Sequence, residues 1–119
     1  MSSPIVFLDI AGPEDDVLRT FYKKIFDWRF TPTGQIELDV LQPLRAAIRR
    51  DPKEKRLYVG VPDVTACLEA IENAGGSIDT PRFEVPGLVV LGLFRDPAGN
   101  PMGLVEMDGD KPRVPPADD

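Results

Sequence analysis

The side chains that could perform chemistry in this sequence are few. Asp9, Tyr58 and Glu106 are candidate acids or bases, whereas histidine, the usual proton-transfer residue, is absent from the 119 residues. A buried carboxylate with a raised pKa could act in its place. The single cysteine, Cys67, cannot form a disulfide within the chain, and its position in a helical pattern favours a buried apolar role. These residues permit acid–base catalysis, but no pair among them demands it.

In the first half of the chain, one strand and one helix are clearly predicted. PIVFLDI, residues 4 to 10, indicates a strand that begins at a proline. GPEDDVLRTFYKKIFDW, residues 12 to 28, indicates a helix with Pro13 in its first turn, acidic residues near its start and lysines near its end. Its apolar face is predicted from residues spaced three and four apart: Val17, Leu18, Phe21, Tyr22 and Ile25.

Between residues 29 and 50 the signals are weaker. Pro32, Gly34 and Pro43 interrupt the chain, and we predict short strands at about residues 28 to 31, 35 to 41 and 44 to 49. LRAAIRR, at the last of these, could instead be helical because Leu, Arg and Ala favour helix.

In the second half the order of elements repeats after the charged turn DPKEK. RLYVGV predicts a strand, Asp63 a helix N-cap, and VTACLEAIENA a helix that ends at Gly75 and Gly76. SIDTPRFEV and LVVLGLF predict two strands, and LFRDPAGNPMGLVE supplies a tight turn and the last strand. Each half therefore has the order βαβββ. We predict a single α+β domain over residues 1 to 107, with modules at about 4 to 50 and 56 to 107, and a proline-rich, charged, extended or mobile tail at 108 to 119.

Composition narrows the possible partners and location. Apolar residues make up 42% and charged residues 29% of the chain, as in soluble globular proteins. The net charge of -6 disfavours nucleic acid and anionic membranes and mildly favours cationic small molecules. No apolar run approaches the roughly 20 residues that span a bilayer, and the start MSSP has no features of a signal peptide. We expect a cytoplasmic protein.

Three stretches resemble the vicinal oxygen chelate superfamily, which includes glyoxalase I, bleomycin-resistance proteins and extradiol dioxygenases. FYKKIFDWRF is similar to the family's FY-x-x-x-FGW segment, VGVPDVTACLEAIENAGG to its strand, aspartate and helix, and FRDPAGNPMGLVE to its F-x-DP-x-GN hairpin. The resemblance implies two βαβββ modules that form a curved mixed sheet around a cleft, and a homodimer.

The resemblance also implies where a divalent metal would bind in an active relative, on the first and last strands of each module. In this sequence the corresponding positions are Ile5, Arg56 and Gly103, and the first module's last strand has no carboxylate. Strand alternation turns Glu106 away from the face of Gly103. We therefore predict no cofactor and no metal ligand, with a divalent metal disfavoured.

If Ile5 faces the cleft, alternation places Phe7 and Asp9 there as well, and the same reasoning from Arg56 gives Tyr58. Trp28 and Phe30, just after the first helix, could add aromatic walls. The candidate ligand-binding residues are Phe7, Asp9, Trp28, Phe30, Arg56 and Tyr58. Such a cleft suits a flat or amphipathic small molecule. The alternative is that the aromatic residues belong to the core and that Asp9 and Arg56 pair with each other or face solvent.

Several functions stay open. The resemblance to the bleomycin-resistance branch implies a metal-free protein that sequesters a drug or metabolite. Alternatives are a lyase, isomerase or dioxygenase with an atypical metal-ligand set, a metal-free enzyme that uses Asp9, Tyr58 or Glu106, and a regulatory or assembly subunit whose cleft is filled. Whether the protein is an enzyme is left undecided.

Overall fold

A computed structural model describes residues 10, 12 to 41, 50, 52 and 55 to 118. The predicted first strand lies outside these residues except for Ile10, and so do its candidate site residues Phe7 and Asp9. The predicted strand at residues 44 to 49 also lies outside them.

Helix α1 spans Asp15–Phe26, so it begins two residues after Pro13 rather than at it. Asp15 and Asp16 occupy its first turn and Lys23 and Lys24 its last, as predicted from the helix dipole. The helix ends where Asp27 adopts a left-handed conformation with φ 53°, and the Asp27 amide donates to the carbonyl of Lys23. The buried residues are Leu18, Phe21 and Tyr22, whereas Val17 lies at the edge of the apolar face and is exposed.

Two short antiparallel strands follow α1. Strand β1 spans Arg29–Phe30 and β2 spans Ile36–Glu37, joined by a turn in which Gly34 has φ +86°. The strand predicted for residues 35 to 41 is therefore too long. The pairing stops at Arg29 and Glu37, close to the end of α1, where Asp27 adopts the left-handed conformation.

The second module shows the predicted βαβββ order. It comprises β3 at Leu57–Val61, α2 at Val64–Asn73, β4 at Ser77–Val85, β5 at Val89–Arg95 and β6 at Pro101–Asp108. The strands lie in the order β3-β6-β5-β4, with β3 parallel to β6 and the other neighbours antiparallel. The α+β class with a mixed sheet is thus confirmed.

Helix α2 has the capping residues that the sequence indicates. The Asp63 side chain accepts a 3.0 Å hydrogen bond from the amide of Ala66, and Gly75 ends the helical segment with φ +105°. The helix packs closely on β5 because Gly92 has no side chain: a Cβ there would lie 2.6 Å from Cγ1 of Val64.

One core joins the two helices to one face of the sheet. Its buried residues are Leu18, Phe21, Tyr22, Val61, Val64, Leu68, Ile71, Phe94, Met102 and Leu104. Within the described ranges, neither the 12-residue α1 nor the 10-residue α2 has the length and apolar character to cross a membrane.

The predicted tail packs on its own chain. Strand β7, Lys111–Pro112, pairs with the end of β6, and residues 113 to 118 continue without helix or strand. Pro115 is buried, and its carbonyl accepts a 3.0 Å hydrogen bond from the amide of Gly87 in the β4–β5 turn. The tail is therefore extended and packs against the second module.

Candidate ligand-binding site

The sheet has a second face, directed away from α2, which we call the far face. Leu91 and Leu93 lie on it because they flank Gly92, which faces α2. The strand pairing forms two rows of neighbours across this face: Thr80, Leu93, Gly103 and Tyr58 in the first, and Phe83, Leu91, Val105 and Gly60 in the second. The leucines, Val105 and Phe83 are half-buried. The far face is thus an apolar surface at the position where the resemblance implies a cleft.

Tyr58 and Gly103 are paired residues on the parallel strands β3 and β6. A Cβ at Gly103 would lie 2.4 Å from both Cδ1 and Cε1 of the Tyr58 ring, which is closer than real contacts allow. The ring therefore covers the space that a side chain at position 103 would occupy. Tyr58 is still 46% exposed, so much of the residue remains in contact with solvent.

Charged residues lie at one end of the far face. The carboxylate of Asp79 is 3.2 Å from Nε of Arg95 and 3.8 Å from Nη2 of Arg56. Nη1 of Arg56 also donates to the carbonyl of Met102, which fixes this guanidinium against β6. The Arg56 side chain is 10% exposed and that of Arg95 is 47% exposed. Arg95 is therefore the more accessible cation.

Glu106 lies on the opposite face from Gly103, as alternation predicts, and is 6% exposed. Its carboxylate accepts from Arg82 at 3.1 and 2.8 Å and from the amide of Val64 at 3.1 Å, and it lies 3.3 Å from Nε of Arg113. The hydrogen bonds from Arg82 hold the pKa of Glu106 below its usual range, although burial opposes this. Glu106 is a fixed anion at the N-terminus of α2 and is unsuited to act as a proton donor.

Asp96 of the turn DPAGN contacts Tyr22 and thereby links two of the motifs that carry the resemblance. Asp96 is buried, and its carboxylate accepts from the amides of Ala98 and Asn100 at 3.0 and 2.8 Å. It also accepts a 2.9 Å hydrogen bond from the hydroxyl of Tyr22 on α1. Burial and, secondarily, the charge of Asp96 raise the pKa of Tyr22 far above its usual value. This turn has a structural role, since Asp96 is fully engaged.

The predicted site residues separate into two groups. Trp28 stacks on Tyr22 with ring centres 5.1 Å apart, and Phe30 also packs against the core. Arg56 and Tyr58 instead lie at the far face. The structure thus brings Arg56 and Tyr58 together and does not join Trp28 or Phe30 to them, because Trp28 stacks on Tyr22 of α1 and Phe30 packs against the core.

Cys67 is half-buried against the core. Burial, with a smaller contribution from Asp63, raises the pKa of its thiol to about 11. Near neutral pH it is therefore a thiol rather than a reactive thiolate, which agrees with the structural role expected from the sequence.

The residues present at the implied metal positions do not fit a cation. Gly103 offers no ligand and lies under a ring, while Arg56 carries a positive charge. Among the residues that the structure describes, no group of three histidine, cysteine, aspartate or glutamate side chains could hold a metal ion. A shallow groove of about 260 Å³ between α1 and the end of α2 lies on the helical side and bears no such group either.

Sequence reasoning missed the residues that β4 and β5 contribute to the far face. Arg95 could have been found from FRDP, since the residue after the core residue Phe94 must face the other side of the sheet. Asp79 and Phe83 could not, because β4 has register shifts between Ile78 and Thr80 and between Thr80 and Phe83.

Comparisons with known proteins support the fold. The sequence matches no protein-family model and no curated protein. The structure, however, has the fold of the glyoxalase/bleomycin-resistance/dioxygenase proteins, so the resemblance predicted from the three motifs is confirmed at the level of the fold.

Three solved structures illustrate this likeness. A glyoxalase/bleomycin resistance protein/dioxygenase family enzyme from Burkholderia phytofirmans PsJN aligns over 83% of this chain and 94% of its own, with a TM-score of 0.66 and 11% identity. A glyoxalase-related enzyme from Fulvimarina pelagi aligns over 89% and 88%, with a TM-score of 0.57 and 18% identity. Lactoylglutathione lyase from Agrobacterium tumefaciens aligns over 89% and 95%, with a TM-score of 0.56 and 15% identity.

Proposed function

We propose that the protein binds a small molecule on the far face without a metal, as a protein that sequesters a drug or metabolite would. The observation that carries this proposal is the Tyr58 ring over Gly103, at the position where the resemblance implies a metal ligand in active relatives. An aromatic surface there replaces a coordinating group.

The surface around Tyr58 supports binding of an apolar body. Leu93 lies in the same row, and Phe83, Leu91 and Val105 lie in the next, all of them half-buried. Aromatic and aliphatic side chains with a few polar groups at one end are typical of small-molecule sites. A flat ring stacked on Tyr58 would cover apolar surface that is now in contact with water.

Three carboxylates lie in the sheet or in its β5–β6 turn with the contacts given above, and none of the three supports catalysis. Glu106 and Asp96 are both buried and fully engaged, on the face or in the turn away from Tyr58. Asp79 lies at the far face but is paired with two guanidiniums. The homodimer, the cytoplasmic location and the roles of Phe7 and Asp9 stay predictions.

A neutral aromatic dye, phenylnaphthylamine, tests the proposal by fluorescence titration of protein treated with EDTA. We expect saturable binding that is unchanged by added Mn²⁺, Ni²⁺ or Zn²⁺. Tyr58→Ala should weaken it several-fold, because stacking on an aromatic ring contributes about 1 kcal/mol. Val17→Ala is the matched control, since Val17 is also an exposed apolar residue, at 43%, but lies on α1.

Three results would contradict the proposal. Binding that requires a divalent metal, together with stoichiometric metal in the purified protein, would favour the enzyme with an atypical ligand set. Absence of dye binding would favour a regulatory or assembly subunit, and equal effects of the Tyr58 and Val17 substitutions would show that the dye binds outside the far face.

A further inference from the structure

The charged end of the far face lies next to the row that contains Tyr58. Arg95 is two residues beyond Leu93 on β5, on the same face, and pairs with Pro101. Two residues along a strand correspond to roughly 7 Å. A molecule the size of two fused rings that lies on Leu93 and Tyr58 would therefore reach the guanidinium of Arg95.

Arg95 keeps hydrogen-bonding capacity for a ligand. Its Nε faces Asp79 at 3.2 Å, and its Nη1 donates to the carbonyl of Gly99 at 2.9 Å. These two contacts hold the guanidinium in a fixed position. Among the described residues no partner of Nη2 is found, and the side chain is 47% exposed.

The carboxylate of Asp79 contacts two guanidiniums. It is shared between Arg95 and Arg56, and the latter is held against β6 through the carbonyl of Met102. A guanidinium can bind one carboxylate through Nε and accept a second anion at its remaining donors. The arrangement therefore favours an anionic group at the end of the apolar rows.

We infer that the ligand is an amphipathic anion, a small molecule with a single carboxylate or sulfonate-like group, and that this group binds Arg95 while the apolar body lies on Tyr58 and Leu93. The inference rests on the proposed function and adds the chemical class of the ligand. It differs from the cationic ligand that the net charge of -6 favours. At physiological salt, charges more than about 8 Å away are largely screened, so the adjacent guanidinium outweighs the overall charge.

Two dyes with the same aromatic body test this inference. Phenylnaphthylamine is neutral, and anilinonaphthalene sulfonate differs from it by one sulfonate. We expect the sulfonate to bind the wild-type protein more tightly than the neutral dye. Arg95→Gln should weaken sulfonate binding about tenfold, as expected for loss of one charge-assisted hydrogen bond, and should change binding of the neutral dye by less than about twofold.

Arg19→Gln is the matched control, because Arg19 is also an exposed arginine paired with one carboxylate, but on α1. It should leave both dyes unaffected. If the neutral dye binds in a Tyr58-dependent way but Arg95→Gln leaves sulfonate binding unchanged, or weakens both dyes equally, this inference alone is overturned. If neither dye binds, the proposed function itself fails.

Discussion

The hydroxyl of Tyr22 donates a 2.9 Å hydrogen bond to the carboxylate of Asp96. The two residues are 74 positions apart, one on α1 and the other in the turn between β5 and β6. This bond connects the first module to the second through a buried polar pair. Each of the segments FYKKIFDWRF and FRDPAGNPMGLVE supplies one partner of this bond.

Tyr22→Phe should destabilise the protein by about 2 kcal/mol. The ring and its stacking on Trp28 would remain, but a buried carboxylate would lose one hydrogen bond from a neutral donor. Urea unfolding measures the change. Tyr58→Phe removes a tyrosine hydroxyl from an exposed position and should leave stability nearly unchanged; equal losses in the two variants would contradict the role of the bond.

Because of Glu106, the free energy of unfolding of the protein should decrease at acidic pH. Arg82 holds the pKa of Glu106 below its usual range in the folded state, so the unfolded chain binds a proton more readily. The resulting stabilisation is complete above the ordinary glutamate pKa of about 4.3 and is lost as the pH falls through the lower, folded value. Urea midpoints measured from neutral to acidic pH should show this decline.

Glu106→Gln should flatten that part of the pH profile and cost about 2 kcal/mol at neutral pH, because the amide cannot replace a charged acceptor for Arg82 and Arg113. Glu72→Gln, at an exposed position on α2, is the control and should follow the wild-type profile. An unchanged decline in the Glu106 variant would assign the pH dependence to other carboxylates.

Gly103→Ala should destabilise the protein by about 1 kcal/mol, at the lower end of the usual cost of overpacking, because the half-exposed Tyr58 ring can turn toward solvent. The same substitution in a Tyr58→Ala background should cost less, since no ring then competes for the space. Urea unfolding of the four proteins in this double-mutant cycle gives the coupling. Additive effects would show that the contact is unimportant.

Deletion of residues 111 to 119 should expose the β4–β5 turn. The amide of Gly87 would lose its acceptor, the carbonyl of Pro115, and should exchange faster with solvent deuterium. The amide of Leu88 bonds to Val85 within the same turn and serves as an internal control. Equal acceleration at both amides would indicate that the whole turn has unfolded.

Local sequence signals predicted most of the second module. Asp63, Gly75 and the DPAGN turn act through neighbouring residues, so their effects can be inferred without a partner strand. The far face depends instead on which residues lie opposite one another across strands. The register shifts in β4 decide that Phe83 is beside Leu91, and no local pattern reveals them.

The candidate site was predicted only in part for the same reason. Arg56 and Tyr58 follow from alternation along β3, and alternation along β5 could have placed Arg95 on the same face. Asp79 depends instead on the register shifts of β4. Trp28 was placed near the cleft because it follows α1, yet its ring finds a closer apolar partner in Tyr22 of that helix. Its position is decided by packing, which the spacing of residues does not encode.

The parallel pairing of Tyr58 with Gly103 also limits how this chain could change over generations. A carboxylate at position 103 and the ring at position 58 require the same space. Because displacing the ring costs stability, an acidic residue at position 103 is accommodated most easily once position 58 has lost its ring. The order matters, since gaining the acid before losing the ring passes through a clash. The ring at position 58 thus disfavours any coordinating side chain at position 103.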